Sequence, residues 1–384
     1  MSTAPAPAGV YHPRRPEGSP LYRLFEGDFE RFVRVYDERF EHQYGFLRRV
    51  VPRVVHQFLE CGRPEGGFAR IRCPSCRGEH LLAFSCPSKN KSRNFCPSCQ
   101  AKRAALFGER LIEEILEDVP HRHATFTVPK ALRGLFERER ALLKILPRSA
   151  HRAVEIMLRE VVGRRDVRVG TVASIQTFGS FAANFHPHVH ALVTEGVFHP
   201  LGAKALFFER VEWWDQRALA DVFRELVFRE LIAAKRLRPE TAETMRSWQH
   251  SGFNVHASEP VLPTDRERLE HLARYVTRAP LRLDAMELLA NGRVRVRTPV
   301  HPQTGATRME LDVLEMIRRL CAQIPDPRQH MVTYYGWYSH RVRGERRKES
   351  GETPAAAAEV RATTRRSRSW ASPRGTSRGG SSRS

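Results

Sequence analysis

NFHPHVHALVTEG, residues 184–196, sets alternating histidines against an apolar strand. His186, His188 and His190 fall at every second position, and an apolar run follows. Residues i and i+2 of an extended strand share a face, so His188 and His190 project together, about 7 Å apart along the backbone. Val189, Ala191 and Val193 then point the other way, into a core. A pair of imidazoles on one face can hold a divalent cation and leave positions open for substrate oxygens. Alternating histidines are also ordinary surface residues, so the surroundings must decide. Pro187 interrupts the strand beside His186, which is either a third ligand or a loop residue.

Just upstream, RVGTVASIQTFGS (168–180) is strand-like with glycine near both ends. It pairs with 185–198 as an antiparallel hairpin whose connection lies around Gly179 to His186. HATFTVPK (123–130) is a short β run ended by Pro129, and VRVRTPV (294–300) is another strand. Helical patterns occupy 131–146, 149–163, 218–237, 268–281 and 311–324. Ahead of them, Phe32, Val35, Phe40, Phe46, Leu47 and Val51 fall roughly at helical spacing, with Pro52 kinking or dividing that stretch. A further helix is expected over 101–119.

A chain of 384 residues has room for two or three domains and a sizeable core. Its net charge of +21 and pI near 10.4 point to a polyanionic partner, most economically nucleic acid. Membrane is the weaker alternative: no apolar run reaches about 18 residues, and no basic amphipathic helix carries lipid anchors. The first twenty residues lack the apolar segment of a secretory signal, so a cytoplasmic, nucleoid-associated protein is expected. Residues 1–20 read as a flexible arm. Residues 346–384 are basic and rich in Ser, Gly and Arg, a composition that cannot offset the entropy of ordering, so they read as a disordered tail.

Two CPSC motifs, 73–76 and 96–99, are nineteen residues apart. Two residues between thiolates let one tight turn present both sulfurs to one ion, and doubling the motif gives the tetrahedral four-thiolate set of structural zinc. The expected ligands are Cys73, Cys76, Cys96 and Cys99. Cys61 and Cys86 are expected to be core residues. Lys89, Lys91, Arg93, Lys102 and Arg103 crowd the second knuckle and suit contact with a DNA backbone. Downstream, EHLARYVTRAP places Tyr275 on a basic helix between Arg274 and Arg278. Such a phenol is suited to attack a phosphodiester, with the arginines holding phosphate and stabilising developing phenolate.

These residues taken together resemble a known family. A His-hydrophobic-His strand followed by a helical tyrosine resembles the HUH endonucleases. The cysteine block, PHRHATFTVPKALR, IQTFGSFAANFHPHVHALVTEGVF and YVTRAPL narrow the resemblance to rolling-circle transposases of the insertion-sequence-ninety-one type, over about residues 20–345. The resemblance implies an α+β fold: a helical zinc-binding and DNA-binding region (21–115), then a tyrosine transposase domain (116–345) with a central antiparallel sheet flanked by helices. It implies a divalent cation, magnesium or manganese, on His188 and His190, with attack by Tyr275 on single-stranded DNA to leave a 5′-phosphotyrosine link. Many members carry two tyrosines four residues apart. His271 stands at that second position here, so the chain resembles a single-tyrosine variant, with His271 as a third metal ligand or proton relay. Gln176 and Glu195 compete as third ligands. No GxxxxGK[ST] phosphate loop is present, so unwinding would fall to a host helicase. The alternatives are a non-catalytic zinc-dependent DNA-binding protein, such as a regulator or decayed transposase, and a relaxase or replication initiator using the same chemistry.

Overall fold

The structure, a computed structural model, describes residues 16–86, 92–199, 207–212, 214–279, 283–301 and 303–349. Residues 1–15, Lys89, Lys91 and the tail from 350 onward lie outside the described residues, as does the side chain of Arg93. The described strands, in chain order, are β1 (Phe68–Arg72), β2 (Glu79–Ala83), β3 (His121–Thr127), β4 (Gly170–Phe178), β5 (Phe185–Thr194), β6 (Gly196–Phe198), β7 (Phe208–Arg210), β8 (Asn254–Ala257), β9 (Met286–Leu288), β10 (Arg293–Arg297), β11 (Arg308–Asp312) and β12 (Val332–Gly336).

The fold is α+β, built on a five-stranded antiparallel sheet in the order β12-β4-β5-β3-β8. β4 and β5 form the expected hairpin and lie inside the sheet, which is why nearly all their residues are buried. Alternation along each strand assigns the two faces. Ala124, Phe126, Ala173, Ile175, Val189 and Val193 enter the main core beneath helices Ile145–Val162 and Gln216–Ala233. The opposite face carries the polar residues. Ser174 and Thr125 flank His190, and Gln176 and Thr127 flank His188, each directly across from its histidine. Helices Pro97–Glu114 and Arg266–Tyr275 roof this face, meeting Val172 and Leu192 through Leu111, Ile115 and Ala273.

A second core joins segments far apart in the chain. Helices Pro20–Tyr36 and Val50–Leu59 pack with the β11-β10-β9 sheet and with helix Val313–Ala322. Phe95 lies inside this core, edge-on to Phe25 and Phe58 with ring centroids 5.1 and 5.3 Å away.

Three boundaries differ from the sequence reading. The N-terminal stretch divides at Gly45, whose φ of +80° only glycine adopts freely, whereas Pro52 sits in the first turn of Val50–Leu59, where a missing N–H is harmless. The tyrosine helix stops at Tyr275 instead of running on to Pro280. A last helix, His340–Glu349, carries order past residue 346 because Val342 and Arg343 are buried and Arg346 lies over the Trp337 ring and pairs with Glu117. Among the described residues no helix is long and apolar enough to cross a membrane.

Candidate active site and metal centres

β5 delivers His188 and His190 side by side on the polar face, as the alternation requires. Their Nε2 atoms are 3.1 Å apart, and both rings are buried, at 7% and 4% exposure. His188 Nδ1 donates to the carbonyl of His186 at 2.7 Å, which leaves its Nε2 carrying the lone pair. A third imidazole joins them from β3. His123 Nε2 lies 2.9 Å from His190 Nδ1, and the Thr125 hydroxyl lies 3.2 Å from the same atom. Burial holds all three rings neutral at neutral pH: His123 and His188 are pushed down to about 4, and His190, further depressed by its histidine neighbours, to about 2. Neutral imidazoles are what a cation needs as ligands.

Tyr275 comes down onto this group from the end of its helix. Its ring stands edge-on to His190 at 5.4 Å and to His123 at 6.0 Å between centroids. The Arg278 guanidinium lies 4.2 Å from the tyrosine ring centroid. Three side chains grip the carbonyls at this helix end. Ser174 Oγ donates to Val276 O at 2.7 Å, Gln176 Nε2 donates to Tyr275 O and Val276 O at 3.2 and 3.1 Å, and Gln100 Nε2 donates to Thr277 O. Gln100 belongs to the helix that starts at the second CPSC motif.

Of the candidate third ligands, Gln176 spends its amide nitrogen on the helix end, but its Oε1 is buried without a hydrogen-bond partner. Glu195 is ruled out by its ion pairs: it is fully buried, 2.5 Å from Arg122 and 2.9 Å from Arg210. His271 is solvent-exposed, and among the described residues no hydrogen bond or ring contact joins it to the histidine group. Arg274 is exposed and pairs with Glu270. Lys102 and Arg103 are exposed on the helix Pro97–Glu114. His123 is the residue that sequence reasoning missed, although HRHATFT shows the same alternation as HPHVH.

The cysteines gather differently from the expected set. Cys61, Cys86, Cys96 and Cys99 are all buried, with sulfurs within 4.8 Å of one another. Cys61 lies 3.5 Å from Cys99 and 3.7 Å from Cys96. Four sulfurs on one tetrahedral zinc with bonds of about 2.3 Å would stand about 3.8 Å apart, so the cluster has the right size. Hydrogen bonding among the crowded thiols pulls Cys61 down to about 7 and Cys99 lower, and pushes Cys86 and Cys96 up. Cys73 and Cys76 are not part of the cluster. They occupy the tight turn between β1 and β2, where Cys73 N donates to Gly78 O at 2.9 Å and Cys76 is exposed. The CxxC spacing therefore located half of the cluster, and the other half comes from the end of helix Val50–Leu59 and the strand exit at Cys86.

Two family models match the chain. One, described as a putative transposase, covers residues 170–346, and the other, a transposase zinc-binding domain, covers residues 32–128. They define the chain as a transposase, a class that acts on DNA. More narrowly, it belongs to the insertion-sequence-ninety-one type of transposase with an N-terminal zinc-binding region. The chain is 27% identical to the transposase for insertion sequence element IS801 of Pseudomonas savastanoi pv. phaseolicola over 314 residues, 78% of this chain and 73% of that one. It is 24% identical to the putative transposase y4qJ of Sinorhizobium fredii over 332 residues, 82% of this chain and 80% of the relative. No solved structure matches the chain.

Proposed function

We propose that the chain cuts and rejoins single-stranded DNA through a 5′-phosphotyrosine intermediate on Tyr275, as in rolling-circle transposition. The observation that carries the reading is the approach of the Tyr275 ring to within 5.4 Å of His190, whose Nε2 faces that of His188 at 3.1 Å. Two nitrogens on one ion at about 2.1 Å would stand roughly 3.0–3.4 Å apart, so the pair fits a cation, and the orphaned Oε1 of Gln176, on the same face opposite His188, is an available third ligand. Magnesium or manganese bound there would polarise the scissile phosphate.

The protein's own groups do the rest. Thr125 and His123 orient His190, and the His186 carbonyl orients His188. The Tyr275 phenol loses its proton to solvent, with Arg278 beside the ring to stabilise the phenolate. Its oxygen bonds to phosphorus, the bond from phosphorus to the 3′ oxygen breaks, and that oxygen leaves as a hydroxyl after taking up a proton. One phosphate ester replaces another, so a later 3′-hydroxyl can reverse the step and join strands without added energy.

In the same reading Cys61, Cys86, Cys96 and Cys99 hold one structural zinc. The chain works in the cytoplasm on nucleoid DNA, and a host helicase supplies the single strand. The test is labelled single-stranded DNA from an element end, incubated with magnesium or manganese. A covalent protein–DNA adduct should form, vanish in Tyr275→Phe and fall at least a hundredfold in His190→Ala. An undiminished adduct in Tyr275→Phe would remove the tyrosine from the reaction.

A further inference from the structure

Beside the histidine strand is a cleft of about 310 Å³ whose charge the chain does not balance. It is lined by Lys130, Arg133, Glu137, Asn184, Phe185 and Arg318, among others. Glu137, the carboxylate of that wall, is taken up by Arg318 at 3.0 Å. Arg133 is half-buried. Its Nε is shut off from water without a hydrogen-bond partner, and burial alone lowers its pKa, with no carboxylate opposing the shift. Removing a guanidinium from water without a counter-ion is costly, so a position that does so is set up for an anion that arrives from outside. The setting agrees with this. Lys130 and Arg133 belong to the first turns of the helix Lys130–Arg138, the end at which unpaired backbone N–H groups favour negative charge.

A second observation fixes the location. His186 Nε2 is also buried without a partner, and its ring lies 5.2 Å from that of His188. Phe185, the neighbour of His186 on β5, lines the same cleft as Arg133. The unbalanced cation and the unused imidazole edge therefore flank the cleavage site on one side. A nucleotide strand with one phosphate at the histidine pair must lay the neighbouring phosphate alongside it.

We propose that Arg133 and the Nε2 edge of His186, at the first turns of helix Lys130–Arg138, hold a phosphodiester of the single-stranded substrate adjacent to the one that Tyr275 attacks. This subsite rests on the cleavage-site reading above for its orientation, and its test is arranged to be independent of cleavage. The probe is a twenty-nucleotide single-stranded oligonucleotide, titrated onto full-length Tyr275→Phe protein across a salt series. Adding Arg133→Gln should weaken binding about fivefold at low salt and reduce the slope of log affinity against log salt by about 0.7, the loss of one phosphate contact on a single strand. Arg133→Lys, which keeps the charge, should restore the slope. The melting temperature of Arg133→Gln should stay level or rise, because an unbalanced buried charge has been removed; a purely structural arginine would give a fall. Inorganic phosphate at millimolar concentration should compete weakly and only with the arginine present; competition as strong as that of the oligonucleotide would make the site a free-phosphate pocket and overturn the assignment to a strand. Unchanged affinity and slope, or a lowered melting temperature that accounts for the lost binding, would also overturn it. If unmodified protein forms no adduct but Arg133→Gln still lowers affinity and slope, the tyrosine reading falls and the phosphate subsite stands.

Discussion

Cys61 and Cys86 show what spacing along a chain conveys and what it does not. A CxxC motif is readable because one turn brings both sulfurs together. Cys61 and Cys86 carry no such mark, since Cys61 is brought in by the C-terminal end of helix Val50–Leu59 and Cys86 by the exit from a hairpin. His123 is hidden for a related reason: HRHATFT shows that His121 and His123 share a face, but the register that sets β3 beside β5 is not written in the sequence. Conversely, His188 and His190 were legible because a two-residue period fixes the face regardless of what pairs with the strand. The cysteine assignment makes a sharp prediction. Cys61→Ser should drop bound zinc from about one per chain to near none, by elemental analysis of purified protein, with a lowered melting temperature, because four-thiolate zinc contributes directly to folding. Cys73→Ser should leave zinc and melting nearly unchanged, since Cys73 lies in the β1–β2 turn away from the cluster. The reverse pattern of losses would restore the two-CPSC ligand set.

At the level of elements, the important relation is between two helices. The helix Pro97–Glu114 starts at the cysteine cluster and crosses the tyrosine helix closely at Gly108, where an added Cβ would stand 3.4 Å from Arg274 Cγ and 3.7 Å from Ala273 Cβ. Near its start, Gln100 holds the Thr277 carbonyl, while Ser174 and Gln176 on β4 hold the two before it. A helix end normally leaves its last carbonyls to water; here all three have side-chain donors, and the tyrosine is fixed against the sheet. None of this is legible in the sequence, because polar residues on strands and helices do not announce their partners. The sequence marks Gln176 only as a candidate metal ligand. Gln100→Ala removes one of these donors and leaves a half-buried carbonyl without its side-chain partner, a loss of about 1 kcal/mol at that point. We expect the rate of adduct formation to fall about five- to tenfold in single-turnover assays, with single-stranded DNA affinity unchanged and zinc content intact. A change in affinity with the rate preserved would place Gln100 in DNA binding, not in holding the tyrosine.

Across the whole molecule, division of labour and division of cores do not coincide. In our reading residues 21–115 bind zinc and 116–345 cut DNA, a split that follows the sequence motifs. The apolar cores ignore that boundary. Phe25, Phe29, Phe32, Val54 and Phe58 on the N-terminal side share one core with Met286, Val294, Val296, Leu314 and Ile317 on the other. Such pairing over more than two hundred residues cannot be read from periodicity, which shows that a face is apolar but not which face covers it. Cutting at 115/116 would bare the second group and strip Gln100 and Gly108 from above the tyrosine helix. Each large side chain so exposed forfeits about 1.5–3 kcal/mol, and a handful of them exceeds the usual margin of domain stability. We therefore expect a 116–345 fragment to lack a cooperative thermal transition and to form no adduct, whereas a 16–349 fragment should melt like the full chain, since it keeps both cores whole. Calorimetry on the two fragments decides the matter: a sharp transition and adduct formation from 116–345 alone would mean that the N-terminal helices merely lean on a catalytic core that is complete without them.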